Sequence, residues 1–202
     1  QEVLPSDEPI VNDLLHMHAE MMAVRNVATC QPYYARHYYA HLRRGEVKAF
    51  LKTFFNGFAG LADRETYSFW EHYHHASPHK THEEAWFLMQ ARWMLWLEEG
   101  DTLTLLAGVP RAWLEHGKRI VLHNVASAFG PLSVEVESRA NDKEIHARIE
   151  CQGKLRPRVV ELRLPHPGEK KAVTGAGGIY DPAKEKVTIA PFRGTATVSL
   201  RF

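Results

Sequence analysis

Cysteine, surplus charge and long apolar runs are all scarce in this sequence. Its 202 residues include only two cysteines, Cys30 and Cys151, which excludes a disulfide framework and a four-thiolate zinc site. The 25 basic and 24 acidic side chains nearly cancel, so there is no excess of cations to displace counterions from a phosphate backbone. We therefore expect no nucleic-acid partner.

No apolar run approaches the ~18 residues that a membrane-spanning helix needs. The first residues, 1–8, are too acidic for a signal peptide. We expect a soluble protein with no membrane partner. The chain begins at Gln1 and not at Met, which is compatible with the loss of an upstream segment.

Composition changes near Gly100. Residues 1–100 contain nine of the thirteen histidines and four of the five tryptophans but only four glycines, whereas residues 101–202 contain nine glycines and seven prolines. Glycine and proline punctuate short strands and turns, while helices exclude them. The shift predicts a helical domain over 1–100 and a β-sandwich domain over 101–202, an α+β fold.

The first half repeats apolar residues at helical spacing. Between Val47 and Ala62 they follow the order i, i+3, i+4, i+7, i+8, which predicts an amphipathic helix. Three more helices are predicted over about 8–27, over 32–45 and over about 81–98. The fourth is apolar nearly all round, so we expect other parts of the protein to cover every side of it.

After Gly100 the apolar period becomes two. Alternation is clear over 144–151 and 195–202, and similar runs occur at 132–136, 160–164 and 187–189. Half-buried strands have this period. With turn residues at short spacing between them, the runs predict an antiparallel sandwich or barrel of about eight strands.

The segment between the third and fourth helices has the residues best suited to chemistry. It is a predicted loop of about eighteen residues, rich in aromatic rings, and loops of that length in a compact domain are commonly functional. Flat rings favour stacking on sugars, and polar side chains beside them can bond hydroxyls. The candidate substrate-binding residues are Trp70, Tyr67, Arg64, His72 and His74. An alternative is that these aromatics only fill space beneath the sheet.

Glu71 and Glu83 are the candidate catalytic residues. Glycosidases use one carboxylic acid to protonate the leaving oxygen and a second carboxylate as base or nucleophile. Glu71 follows Trp70 directly and is the stronger candidate, with Glu83 and Glu65 behind it. Glu71 is alternatively a surface charge paired with Arg64.

Five histidines, at positions 72, 74, 75, 79 and 82, raise the question of a metal. Neutral imidazole is a common transition-metal ligand. The segment lacks the His-Glu-x-x-His arrangement and has no nearby cysteine. We therefore expect neither a metal nor another cofactor, and a metal-dependent hydrolase stays the least favoured alternative.

Several short segments together resemble the end of an α/α-toroid (six-hairpin) glycosidase followed by its C-terminal β-sandwich. They run through both halves of the chain: His41–Glu46, Asp63–Thr66, Phe69–Glu71, the apolar Trp-containing helix, 99–103, Gly108–Leu114 and Phe129–Ser133. The resemblance implies a partial toroid, since a complete one has twelve helices and only four are predicted here. It also implies Glu71 as a cavity-facing carboxylate and Trp70 as a ring that stacks on sugar.

The resemblance implies a carbohydrate-active protein that hydrolyses glycosidic bonds in an oligo- or polysaccharide, and a secreted or periplasmic location. An alternative is a non-catalytic carbohydrate-binding or structural fragment of such an enzyme. A partial toroid leaves apolar helix faces uncovered, and such faces usually mark interfaces. We therefore also expect a homo-oligomer.

Overall fold

The computed structural model describes residues 4–21, 37–71, 75 and 77–202. The chain divides into two compact units, residues 1–94 and residues 95–202. The first contains the helices and one small sheet, and the second contains two five-stranded sheets. No helix in the described ranges is long and apolar enough to cross a membrane.

Four α-helices and a two-stranded sheet are described in the first unit. They are α1 (Pro9–Ala19), α2 (His37–Arg43), α3 (Val47–Leu61), β1 (Ala62–Asp63), β2 (Ser68–Phe69) and α4 (Thr81–Leu95). α1 begins with Pro9 after an N-cap at Glu8, because proline is well suited to a first helical turn. The amphipathic period of residues 47–62 predicts a helix, and α3 spans nearly the same residues, which confirms the prediction.

Phe87 of α4 lies at the centre of the aromatic core of this unit. Its ring is 5.4 Å from that of Phe54, 5.5 Å from that of Phe58 and 5.0 Å from that of Phe69, centroid to centroid. Rings at these separations attract beyond their area burial. The cluster therefore joins α3, β2 and α4.

Arg44 links the start of the unit to the turn between α2 and α3. Its guanidinium donates to the Ser6 carbonyl at 2.9 Å, to Asn12 Oδ1 at 2.6 Å and to Glu46 Oε1 at 2.7 Å. The same Glu46 carboxylate is 2.7 Å from Nδ1 of His41, which is buried. These contacts fix α1 against the helix pair.

Ten strands make up the second unit. They are β3 (Trp96–Glu99), β4 (Thr102–Leu105), β5 (Arg119–Ser127), β6 (Gly130–Arg139), β7 (Glu144–Cys151), β8 (Val159–Arg163), β9 (Thr174–Ala176), β10 (Ile179–Asp181), β11 (Lys186–Ile189) and β12 (Thr195–Arg201). One sheet has the order β10-β11-β8-β4-β3, and the other β5-β6-β7-β12-β9. Alternate residues of β6, β7 and β12 are buried, as their period of two predicts.

The predicted partial α/α toroid packed on an antiparallel β-sandwich is wrong. The described residues contain four helices, one of only seven residues, and a small β-hairpin separates α3 from α4 where helical hairpins would follow one another. The strands form three sheets, and one five-stranded sheet is mixed because β4 pairs with β8 in parallel. Local periodicity does not show which strands pair, so the parallel pair was not predicted.

The fourth helix is also shorter and less covered than predicted. Trp96–Glu99 form β3, which pairs with β4 across a turn at Gly100, where φ is +58°. A glycine reaches this left-handed conformation at little cost, so the chain reverses into a hairpin instead of extending α4. Within α4, Leu88 is 67% exposed, which contradicts the prediction that every side is covered.

Candidate functional site

The predicted loop between α3 and α4 begins with the hairpin β1–β2. Asp63 closes its turn by accepting bonds from the Glu65 backbone N–H at 2.9 Å and from the Thr66 hydroxyl at 2.7 Å. The Thr66 bond first, and the Glu65 N–H next, lower the pKa of the Asp63 carboxyl. Tyr67 completes the turn in a left-handed conformation and is 91% exposed.

Backbone bonds hold Trp70 and Glu71 directly after β2. The Trp70 N–H donates to the Leu61 carbonyl at 2.8 Å, and the Glu71 N–H donates to the Ser77 carbonyl at 2.9 Å. The indole of Trp70 stacks on the imidazole of His75, with centroids 4.8 Å apart and planes at 15°. One face of the indole is therefore already covered by a side chain of the same segment.

Glu71 carries its negative charge beside a lysine. Lys80 Nζ is 3.1 Å from Glu71 Oε2, and both side chains are only partly exposed. An opposite charge at this distance favours the ionised carboxylate. Glu71 is thus a fixed anion close to the start of α4.

Glu83 lies in the first turn of α4 and is only 4% exposed. Its Oε1 has no hydrogen-bond partner among the described residues. Burial, and then the nearby Glu71 charge, raise the pKa of the Glu83 carboxyl to about 7. A carboxyl group with that pKa retains its proton in a substantial fraction of molecules at neutral pH.

Glu83 lines a small cavity with mostly aromatic walls. The other lining residues come from α2, α3, β2 and α4, namely Tyr38, Phe54, Gly57, Phe58, Leu61, Phe69, Trp86, Phe87 and Gln90. Its volume is about 20 Å³, enough for one water molecule and too small for a sugar ring. A substrate that meets Glu83 must therefore do so at the mouth of the cavity.

Glu71 is close enough to Glu83 for its charge to raise the pKa of the Glu83 carboxyl, and Trp70 precedes Glu71 on the same segment. The exposed side chains Arg64 and Tyr67 belong to the hairpin turn and do not line the cavity. His72 and His74 lie outside the described residues. Within the ranges described, no three His, Cys, Asp or Glu side chains are grouped to hold a metal.

The polar cavity residue Gln90 is not among the candidates named from the sequence. Gln90 interrupts an otherwise apolar run in α4 and is buried, so its polarity at a core position is a signal that sequence analysis could have used. Tyr38 is 4% exposed. In the sequence Tyr38 shares one face of the second predicted helix with His37 and His41, a pattern that fits a groove lining but is more often core, and the structure places Tyr38 at the cavity.

Comparison with known proteins adds no identity to this geometry. No protein-family model matches the chain, and no curated protein matches it significantly.

Proposed function

We propose that this chain is a carbohydrate-active protein that hydrolyses glycosidic bonds, with Glu83 as the proton donor and Glu71 as the second carboxylate. One observation carries the proposal: the carboxyl group of Glu83, buried and with an unpaired Oε1 among the described residues, lies within electrostatic range of the Glu71 carboxylate, which pairs with Lys80. Different environments that drive two neighbouring carboxyl groups apart in pKa are typical of acid–base pairs.

Each carboxyl group has a role that its surroundings support. Glu83 gives its proton to the glycosidic oxygen as the bond to the anomeric carbon breaks, and Glu71 is the base or nucleophile on the sugar. Lys80 keeps Glu71 ionised and holds its carboxylate in place. Because Glu83 is nearly buried, its proton passes through a water molecule in the cavity, which has room for one.

Trp70 supports binding of the saccharide in this proposal. Its indole is oriented by the stack on His75, and a fixed aromatic ring presents apolar area to a sugar without losing much rotamer entropy. The partly exposed Glu71 follows it in the chain. Stacking and proton transfer are therefore assigned to adjacent residues.

The test is turnover of a panel of aryl glycosides and oligosaccharides by the purified chain. Glu83→Gln and Glu71→Gln should each lower kcat by about 10²–10⁴, the usual contribution of a positioned acid or base. Glu84→Gln is the matched control, because Glu84 lies in the same first turn of α4. Equal turnover by folded Glu83→Gln and Glu84→Gln proteins would remove Glu83 from the mechanism.

A non-catalytic carbohydrate-binding protein is the second candidate. The 91% exposed ring of Tyr67 on the hairpin favours it, because an exposed ring can stack on sugar without any catalytic group. In that case, saccharides bind without turnover, and binding weakens in Tyr67→Ala but not in Glu83→Gln. Isothermal titration with the same oligosaccharides separates the two candidates.

A further inference from the structure

A polar groove lies in the second unit, whereas Glu71 and Glu83 belong to the first. The groove has a volume of about 710 Å³, within the range of roughly 300–1,000 Å³ typical of small-molecule sites. Its walls are the short 3-10 turns after β4 and β6 together with the segment after β8, and they comprise Glu115, His116, Ala140, Asn141, Lys143, His166, Pro167, Gly168 and Lys170.

Two lysines bring positive charge to the groove. Lys143 and Lys170 line it, and neither ammonium group forms an ion pair with any residue the structure describes. Lys170 is close enough to His166 for its charge, after the burial of the ring, to lower the pKa of that imidazole.

The acids around the groove are already engaged by other cations. Glu115 pairs with Lys118 at 2.8 Å and Glu169 with Arg111 at 3.7 Å. Asp142 interacts electrostatically with Arg139.

Deeper in the unit, Glu185 is surrounded by three cations. Two of its partners are Arg111 at 2.7 Å and Lys171 at 3.1 Å, and the third is Arg163 at 3.5 Å. Arg111 also pairs with Glu169, so the three cations of this cluster face two carboxylates and leave one further positive charge near the groove. Across the part of the chain that the structure describes, no carboxylate is within ion-pair distance of Lys143 or Lys170.

Further hydrogen-bond donors line the groove. Nδ1 of His116 accepts the Asn141 N–H at 3.3 Å, which places the imidazole proton on Nε2 as a donor. The amide of Asn141 lines the same groove. The walls thus present ammonium, imidazole and amide donors together.

Local contacts hold these walls in place. Nδ1 of His166 accepts the Gly168 N–H at 3.0 Å, and the His166 carbonyl accepts a bond from Arg111 at 2.8 Å. The Phe202 ring lies 4.7 Å from the imidazole, and the Phe202 N–H donates to the Lys143 carbonyl at 2.9 Å. A fixed set of donors loses little entropy when it binds a ligand.

We propose that this groove binds a small multivalent oxyanion, a molecule with two or more phosphate, sulfate or carboxylate groups. Two ammonium groups without carboxylate partners and neighbouring neutral donors match the acceptor-only oxygens of such groups. Six of the nine lining residues are polar or charged, and these groups favour a polar ligand over an apolar one. Two lysines match about two negative charges and are too few for a nucleic-acid backbone.

The test is calorimetric titration of the full chain at fixed ionic strength with inorganic pyrophosphate, citrate and, as a neutral probe, maltose. We expect saturable binding of pyrophosphate or citrate and none of maltose at the same site. The double variant Lys143→Gln/Lys170→Gln should weaken binding of the anion by roughly tenfold or more, since hydrogen bonds to charged groups are strong. Lys154→Gln is the matched control, because Lys154 is exposed and lies outside the groove.

The anion that binds identifies the source of the charge. Pyrophosphate alone indicates phosphate esters, and citrate alone indicates polycarboxylates, and either supports the proposal. Equal affinity in the double variant and in Lys154→Gln, with both folded by thermal melting, overturns it, as does the absence of saturable binding by either anion. Glycosidase activity plays no part in these measurements, so the two proposals fail separately.

Discussion

Burial of Glu83 disfavours the ionised form that a glutamate side chain ordinarily has at neutral pH. Glu83, a candidate catalytic residue in the sequence, is also one of two acids in the first turn of α4, where a negative charge favours the helix start. Its carboxyl is nevertheless surrounded by rings contributed from three other elements. Desolvation of the charged form raises the pKa to about 7, and groups shifted in this way concentrate at functional sites.

The raised pKa makes the stability of the protein depend on pH. Between pH 4.5 and pH 7 the folded state binds more protons at Glu83 than the unfolded state, so the free energy of unfolding falls as pH rises. A shift from 4.5 to about 7 corresponds to about 3 kcal/mol lost by pH 7. Below pH 4.5 the carboxyl is protonated in both states and this loss is absent.

Glu83→Gln should therefore stabilise the protein above pH 7. The amide keeps the shape of the side chain but carries no charge to desolvate. Relative to wild type, its gain should grow from pH 4.5 to pH 7 and then level off, measured by thermal melts across that range. Glu84→Gln should show no such growth, and a parallel pH dependence of the two variants would contradict the burial argument.

Among the elements, those defined by a local period were predicted best. The helix over 47–62 and the alternating strands near 145–151 and 195–201 follow directly from one buried face. The C-terminal end of α4 was not predicted correctly, because Trp96–Glu99 have no period of their own and pair with Thr102–Leu105 through a turn. The three glycines within residues 174–178 are typical of a turn, but 174–176 form β9 and pair with β12.

Gly177 is required for the reversal from β9 to β10. Its φ is +91°, and a Cβ there would clash with the Thr197 carbonyl oxygen. Gly117 has a similar φ of +81° with open space around it, so the two positions share backbone strain and differ in the clash. Of these two glycines, Gly177 is therefore the one constrained by packing as well as by conformation.

Alanine at these two positions separates strain from packing. Gly117→Ala should cost about 1–2 kcal/mol, the price of a left-handed conformation with a side chain. Gly177→Ala should cost more, ~3 kcal/mol or above, because the strand pair must also move. Denaturant unfolding measures the loss of stability in both variants. An equal loss in the two would show that β9 accommodates the added methyl group at no further cost.

At the scale of the whole molecule, both halves of the chain expose large apolar side chains. Phe58 of α3 and Leu88 of α4 are exposed in the helical half, and Leu155, Val173 and Ile179 are exposed in the strand-rich half. Exposed apolar side chains in such numbers favour association. A homo-oligomer therefore stays a prediction, which sedimentation at micromolar concentration tests.

The environments of Glu83 and Glu71 depend on long-range contacts that no local sequence pattern encodes. Glu71 and Glu83 could be named from the sequence because of the residues around them. That Glu83 is buried and that Lys80 holds Glu71 charged depend on the packing of α2, α3 and α4. Such long-range burial decides the protonation of a carboxyl group, and sequence spacing does not.

The most direct test of the account is the titration of the Glu83 carboxyl group by carbon-13 NMR in the intact chain, with Glu83→Gln used for assignment. The account predicts a pKa of about 7 in the wild-type protein. In Glu71→Gln it should fall, yet stay above the usual value, because burial is the larger cause and the Glu71 charge the smaller. A Glu83 pKa near 4.5 that does not change in Glu71→Gln would contradict the proposed acid–base pair.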